Sequence, residues 1–281
     1  MTIAITGATG QLGRLAIAAI KERGRGADTI ALVREPARAS DLGVAVREAD
    51  YARPETLDAA LQGVDTLVLI SSSDFNDRAG QHANVINAAK AAGVGHIIYT
   101  SILNCEASPM MIAQDHKATE AEIARSGIPA TLLRNGWYTE NYTDSLGGAI
   151  QAGAMIGCAG DGRISSASRA DFAEAIAIVA TGSGHEGKVY ELAGDAAYTM
   201  ADMAAEVSRL TGKTVPYNSL PQAAYADILK SFGLPEHFAI ILADADAWAA
   251  KGSLFDDSGV LSRLIGRPTT PMQATVAAAL K

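Results

Sequence analysis

Short apolar runs alternate with helical patterns over the first half of the chain. The runs are Ile3-Ala4-Ile5, Thr29 to Val33, Val44 to Arg47, Thr66 to Ile70, His96 to Thr100 and Ala130 to Arg134. Between them, apolar residues recur at the three- and four-residue spacing of one helical face. The first such face is Leu12, Leu15, Ala16, Ala19 and Ile20, in a helix beginning near Gln11. Later helices carry Leu57, Ala60 and Leu61, then Ala83, Ile86, Ala89 and Lys90, then a stretch from about Asp115 to Arg125. Strands that read as continuous apolar runs are buried on both faces, and strands joined through helices lie parallel. The pattern predicts six strands of a Rossmann-like, doubly wound parallel α/β sheet.

Beyond Asn135 the pattern changes. Gly147, Gly148, Gly153, Gly157, Gly160 and Gly162 predict a stretch of turns that crosses into a smaller lobe. Asp171 to Ala180 reads as a helix returning to the sheet, and Lys188 to Leu192 as a further strand. Thr199-x-x-Asp202 has the form of a capping box, with Asp where Glu or Gln is usual, opening a helix with Met203, Val207 and Leu210 inward. The remainder, through Phe232, Phe238, Ile241 and Trp248, is apolar and helical, and is expected to close over a bound ligand. The division predicted is residues 1–135, with return segments at about 165–195, for the main domain. Residues 136–164 and 196–281 then form a smaller, mostly helical, substrate-binding lobe.

A chain of 281 residues suits one or two domains, and 48% hydrophobic with 19% charged residues describes an ordinary globular protein. No apolar run approaches the roughly 18 residues of a membrane span, and no leader pattern opens the chain, so a cytoplasmic protein is expected. Cys105 and Cys158 form no paired framework and are expected as reduced thiols. The net charge of −8 without a basic cluster argues against nucleic acid and anionic membrane as partners. No Ser-His-Asp order, metal-ligand spacing or P-loop lysine is visible, which leaves hydrolysis, phosphoryl transfer and a bound metal without support.

The junction of the first strand and helix carries the chemistry. Gly7, Gly10 and Gly13 stand in Thr6-Gly7-Ala8-Thr9-Gly10-Gln11-Leu12-Gly13, a G-x-x-G-x-x-G variant of the dinucleotide fingerprint. Gly7 permits a sharp turn off the strand, Gly10 lets phosphate approach the backbone, and Gly13 lets helix and strand pack closely, with the helix N-terminus favouring the anion. Gly7, Thr9, Gly10, Gln11, Leu12 and Gly13 are therefore candidates to hold a pyrophosphate. An acidic residue at the end of the second strand would select NAD; this chain has Arg34, with Arg38 near, and a guanidinium there can fork onto a 2′-phosphate, favouring NADP(H). A solvated surface arginine is the other reading. Asp50, after the third strand, would lie beside the adenine or cap a turn before Pro54. Ser71, Ser72 and Ser73 follow the fourth strand at its carboxyl end, where they either leave room for the nicotinamide ribose or serve as turn residues.

These residues, together with Val33-Arg34, Ala49-Asp50-Tyr51, His116-Lys117-Ala118-Thr119-Glu120, Arg134-Asn135-Gly136-Trp137-Tyr138 and Leu264 to Pro271, resemble the NmrA-like atypical short-chain dehydrogenase/reductases, most nearly the type 2 NAD(P)H:quinone oxidoreductases and triphenylmethane dye reductases. The resemblance covers essentially the whole chain. It implies an NADPH-binding Rossmann domain, with Asp50 and Tyr51 on the adenosine side, and a small lobe where the nicotinamide meets a flat acceptor. Asn135, Gly136, Trp137 and Tyr138 follow the last strand before the lobe crossing and would form the floor under the nicotinamide. A typical short-chain reductase carries Tyr-x-x-x-Lys about a dozen residues after its catalytic serine. Counting from Ser101, the tyrosine position holds Ala113 and the lysine position Lys117.

That absence points to an acceptor that needs no positioned acid: a quinone, whose reduced oxyanion water can protonate, or a cationic dye carbon. The expected activity is NADPH-dependent hydride transfer, without flavin, to a small aromatic or quinone-like substrate. His116 is a candidate donor to an acceptor oxygen or a helix-terminus ligand; Tyr138, with Tyr142, either stacks on an aromatic substrate or belongs to the core. A non-catalytic dinucleotide-binding redox sensor acting on a protein partner, and a carbonyl reductase using Tyr138 or His116 as the acid, are the alternatives. A homodimer is left open.

Overall fold

The computed structural model describes residues 1–74 and 77–281. In chain order its elements begin β1 (Ile3–Ile5), α1 (Gln11–Glu22), β2 (Thr29–Val33), β3 (Ala45–Glu48), α2 (Pro54–Ala60), β4 (Thr66–Leu69), α3 (Arg78–Ala91), β5 (His96–Ile102), α4 (Met111–Ser126) and β6 (Ala130–Asn135). They continue α5 (Glu140–Thr143), α6 (Leu146–Ala152), β7 (Met155–Gly157), α7 (Arg169–Thr181), β8 (Val189–Leu192), α8 (Met200–Thr211), β9 (Tyr217–Ser219), α9 (Gln222–Ser231), α10 (Glu236–Ala249), α11 (Val260–Ile265) and α12 (Met272–Ala279). The chain divides into two compact units. One comprises Met1–Cys105, Asp115–Asn135 and Arg169–Glu191; the other comprises Glu106–Gln114, Gly136–Ser168 and Leu192–Lys281.

The first unit is built on a seven-stranded sheet in the order β3-β2-β1-β4-β5-β6-β8, with parallel pairing from β3 through to β6. The order reverses at β1, and in such sheets ligands bind at the carboxyl ends beside that point. Alternate strand residues serve opposite faces. Ala4, Ile30, Leu32, Leu67, Leu69, Ile97 and Tyr99 share a core with Leu57 of α2 and Val85, Ile86 and Ala89 of α3. On α1, which packs against α7, the buried residues are Leu12, Gly13, Ala16, Ile17 and Ile20.

That face differs from the expected one. Leu15 is exposed and Ile17 is buried, because the face runs along Leu12, Ala16 and Ile20 and along Gly13 and Ile17 at four-residue steps, and Leu15 falls on its far side. Helix α4 begins at Met111, one turn earlier than the polar run near Asp115 suggested. In the second unit the glycine-rich stretch is more ordered than a string of turns: Gly147 and Gly148 lie inside α6, where an added Cβ would meet open space, and Gly153 ends that helix at φ +78°. The Thr199 and Asp202 capping box is present, and Met203 and Val207 face inward, but Leu210 at the end of α8 is exposed. Phe232 is likewise 69% exposed, just past the end of α9, so it adds nothing to the apolar interior expected of this region. A parallel pair, β7 and β9, is bound to α10 by Asp246, whose carboxylate accepts the Cys158 N–H.

Candidate functional site

The loop from β1 to α1 is shaped by its glycines. Gly7 adopts φ +59° and its carbonyl accepts Gly10 N at 2.9 Å, closing a tight turn. A Cβ on Gly13 would lie 2.3 Å from that same carbonyl oxygen and 2.8 Å from Ala8 Cα, so only glycine lets α1 approach the turn. Gly7, Gly10 and Gln11 are exposed and Thr9 half-buried, while the Leu12 side chain is buried and leaves only its backbone for a ligand. Gly10 caps α1 with no side-chain hydrogen bond, and the first turn holds no acidic residue. Positive partial charge at this helix end is therefore uncompensated, as an anion site requires. Arg14 braces the turn from outside, donating to the Thr9 carbonyl (3.2 Å), Asp41 Oδ2 (2.6 Å) and the Arg38 carbonyl (3.1 Å).

Arg34 follows β2 directly. It is exposed and forms no hydrogen bond or ion pair with any described residue, whereas Arg38 lies 3.9 Å from Glu35 in an exposed pair. Asp50 is occupied by its own turn: Oδ1 accepts Ala52 N at 3.0 Å and Oδ2 faces Arg53 Nε at 3.3 Å. The capping alternative describes its present contacts. Tyr51 donates its hydroxyl to the Ile70 carbonyl at 3.1 Å, and burial holds its proton on by raising its pKa. Tyr51 thus fastens the end of β3 to the chain leaving β4.

At the carboxyl end of β4, Ser71 and Ser72 are half-buried and Ser73 is exposed. Ser71 N donates to Thr100 Oγ1 at 2.9 Å, and Ile70 N to Thr6 Oγ1 at 3.0 Å. Two strands away, Asn135 ends β6 with its side chain buried and neither amide atom hydrogen-bonded within the described residues. A buried amide without a partner costs about 1–3 kcal/mol, so this group is poised for a ligand donor and acceptor. Along the chain, Gly136, Trp137 and Tyr138 enter the second unit. There Gly136 N donates to the Leu192 carbonyl at 2.6 Å, and a Cβ on Gly136 would sit 3.1 Å from that oxygen. Trp137 and Tyr138 are half-buried beside Ala167, which pairs with Tyr138 in a parallel bridge.

His116 is neither exposed nor bound to a helix terminus. Its Nδ1 lies 2.8 Å from the Tyr99 hydroxyl, and desolvation, aided by Arg78 and His82, keeps its pKa well below the ordinary imidazole value. Neutral at physiological pH, it has no acidic proton to give; where Tyr99 donates, its remaining N–H is on Nε2. Ser101 is also committed elsewhere. Its hydroxyl donates to Glu120 Oε1 at 2.5 Å, and Glu120 is bound in two places by Arg134 (3.0 and 2.7 Å), which reaches Glu191 at 2.9 Å. Glu191 in turn accepts the N–H of Asn104, whose φ of +54° makes it the one non-glycine residue with positive φ among those described. Ala113, at the counted tyrosine position, is buried and supplies no polar group.

Residues that the pattern did not single out hold the backbone at the carboxyl end of β4: Thr6, Thr100, Arg78, Gln81 and His82. His82 carried a signal, since it stands with Val85, Ile86 and Ala89 on the buried stripe of α3 where an apolar residue would be expected. Among the described residues no cluster of His, Cys, Asp or Glu could hold a metal, and no helix is long and apolar enough to cross a membrane.

A doubly wound parallel sheet, a glycine turn under a bare helix N-terminus and an unpaired arginine after β2 define a dinucleotide-binding α/β protein of the short-chain reductase type. More narrowly, the chain belongs to the NmrA-like family, which matches residues 1–273. It is 54% identical over 277 residues to quinone oxidoreductase 2 of Escherichia coli strain K12, covering 98% of this chain and 97% of that protein. The crystal structure of an NADPH-dependent quinone oxidoreductase from Escherichia coli complexed with NADPH superposes with a TM-score of 0.97 at 53% identity, covering both chains fully. That of the Citrobacter sp. triphenylmethane reductase complexed with NADP(H) gives 0.94 at 38% identity, covering 99% of this chain and all of that one.

Proposed function

We propose that this protein is a cytoplasmic NADPH-dependent oxidoreductase that transfers hydride directly to a quinone or similar conjugated acceptor, without flavin. Likeness over the whole chain to a quinone oxidoreductase supports the reaction, and one observation carries the cofactor assignment: Gly13 has no room for a Cβ against the Gly7 carbonyl, in a turn capped by an uncompensated helix N-terminus. When bound, NADPH supplies the hydride. The chain's own groups bind and orient. Backbone N–H groups of the first turn of α1 and the Thr9 hydroxyl face the pyrophosphate; Arg34 takes the 2′-phosphate; Asp50 and Tyr51 border the adenosine. Ser71 to Ser73 and the unpaired Asn135 amide hold the nicotinamide ribose and ring, and Gly136 and Trp137 extend that contact along the chain.

Orientation is what such a reaction needs from a protein, because a near-attack separation of about 3 to 3.5 Å replaces a chance encounter. The reduced quinone leaves as a phenolate that water protonates. His116, neutral and fixed by Tyr99, serves as a hydrogen-bond donor to the acceptor oxygen, and Tyr138 supplies an aromatic face. The burial of His116 in its neutral form disfavours the form of the carbonyl-reductase reading in which His116 is the acid. A redox sensor would bind the dinucleotide equally well. Oxidation of NADPH by purified protein on addition of a benzoquinone or naphthoquinone tests the proposal; binding without turnover across a panel of quinones and dyes would leave the sensor.

A further inference from the structure

The chain leaving β4 is gripped by one helix. Ser72 presents three polar groups, and α3 takes each of them: its N–H donates to His82 Nε2 at 2.9 Å, its carbonyl accepts from Arg78 Nε at 2.7 Å, and its hydroxyl donates to Gln81 Oε1 at 3.0 Å. That hydroxyl also accepts Asp74 N at 3.0 Å, and Gln81 Nε2 donates to Asp74 Oδ2 at 2.6 Å. An imidazole nitrogen that accepts carries no proton, so His82 holds its proton on Nδ1. Nδ1 lies 2.9 Å from Thr119 Oγ1, whose own proton goes to the Asp115 carbonyl at 2.8 Å. The hydrogen bonds run one way, from Ser72 through His82 and Thr119 to Asp115. The ring itself is fully buried, edge-on to Tyr51 at 6.2 Å and to Tyr99 at 5.6 Å.

We propose that His82 is a positioning residue for the cofactor: as acceptor of the Ser72 N–H it fixes, with Arg78 and Gln81, the backbone at the carboxyl end of β4 in the shape that receives the nicotinamide ribose. The proposal rests on the assignment of Ser71 to Ser73 to that ribose. Glutamine Oε1 can stand where Nε2 stands and accept the same N–H. Leucine fills the space and cannot. Full-length wild type, His82→Gln and His82→Leu are titrated with NADPH, and Ser72 amide exchange is followed by NMR without cofactor. His82→Leu is expected to weaken NADPH binding about tenfold with kcat at saturating NADPH little changed, and His82→Gln to recover most of it. The Ser72 amide is expected to be protected in wild type and His82→Gln and to exchange fast in His82→Leu. Equal NADPH affinity in all three proteins, or equal loss in both variants, would overturn the proposal. Two further readouts separate the causes: fast Ser72 exchange in the wild type means the grip is absent, whereas a protected amide with unchanged affinity means the serines do not hold the ribose. Independently of any variant's folding, long-range proton–nitrogen spectra of the wild type should place the His82 proton on Nδ1, and a proton on Nε2 would refute the inference.

Discussion

Arg34 leaves β2 exposed and with no hydrogen bond or ion pair to any described residue, a state suited to a phosphate arriving from solution. Charge-assisted hydrogen bonds are worth about 1.5–3 kcal/mol, so Arg34→Ala should raise the Michaelis constant for NADPH roughly tenfold or more and leave that for NADH nearly unchanged. Parallel steady-state assays with the two cofactors check this; equal increases would remove the phosphate assignment. At Gly13 the prediction concerns backbone rather than charge. Alanine would place a methyl 2.3 Å from the Gly7 oxygen, so Gly13→Ala should cost about 1–3 kcal/mol in urea unfolding and abolish NADPH binding.

Among elements, the Ser101–Glu120–Arg134–Glu191 network joins β5, α4, β6 and β8 at one end of the sheet. Glu120 and Arg134 are largely buried, and removing one partner strands a charge: Arg134→Met should destabilise the protein by about 3 kcal/mol, read from denaturant midpoints, with the loss reduced when Glu120 is also made apolar. The strands, their order of alternation with helices and the glycine turn were legible in the sequence because each is dictated by near neighbours. The buried face of α1 was misassigned at Leu15 because the stripe was counted one residue off its true centre. Asn135 and Ser71 could be placed at strand ends, but the amide of one left without a partner among the described residues, and the grip on the next serine by side chains six to ten residues on, depend on how the helices pack, which spacing does not show. Arg134, which opens the Arg134-Asn135-Gly136-Trp137-Tyr138 stretch, is bound to Glu120 and Glu191 and ties β6 to α4 and β8, which spacing alone does not distinguish from a ligand contact. The absence of the reductase tyrosine was legible, whereas the neutral, tyrosine-bound state of His116 follows only from packing.

At the scale of the whole molecule, two histidines are folded away uncharged. Burial and Arg78 push His82 down to about 3 from an ordinary 6.5, and His116 is lowered in the same sense. In the unfolded chain both titrate near their ordinary value, so below it the unfolded state binds more protons than the native one and stability falls as pH falls. For His82 the loss should approach about 1.4 kcal/mol per pH unit between about pH 6 and pH 4, and His116 adds to it in the same direction. Urea midpoints over that range should fall with acidity, and His82→Gln should flatten the slope. An unchanged slope would show that His82 is not held neutral. The central claim is direct, flavin-free hydride transfer from NADPH to a quinone, and the most direct measurement is single-turnover oxidation of NADPH deuterated at the transferred position by protein verified free of flavin, with 1,4-benzoquinone as acceptor. The account predicts stoichiometric oxidation that depends on both protein and quinone and is slowed by deuterium; NADPH that binds and stays reduced in the presence of quinone would contradict it.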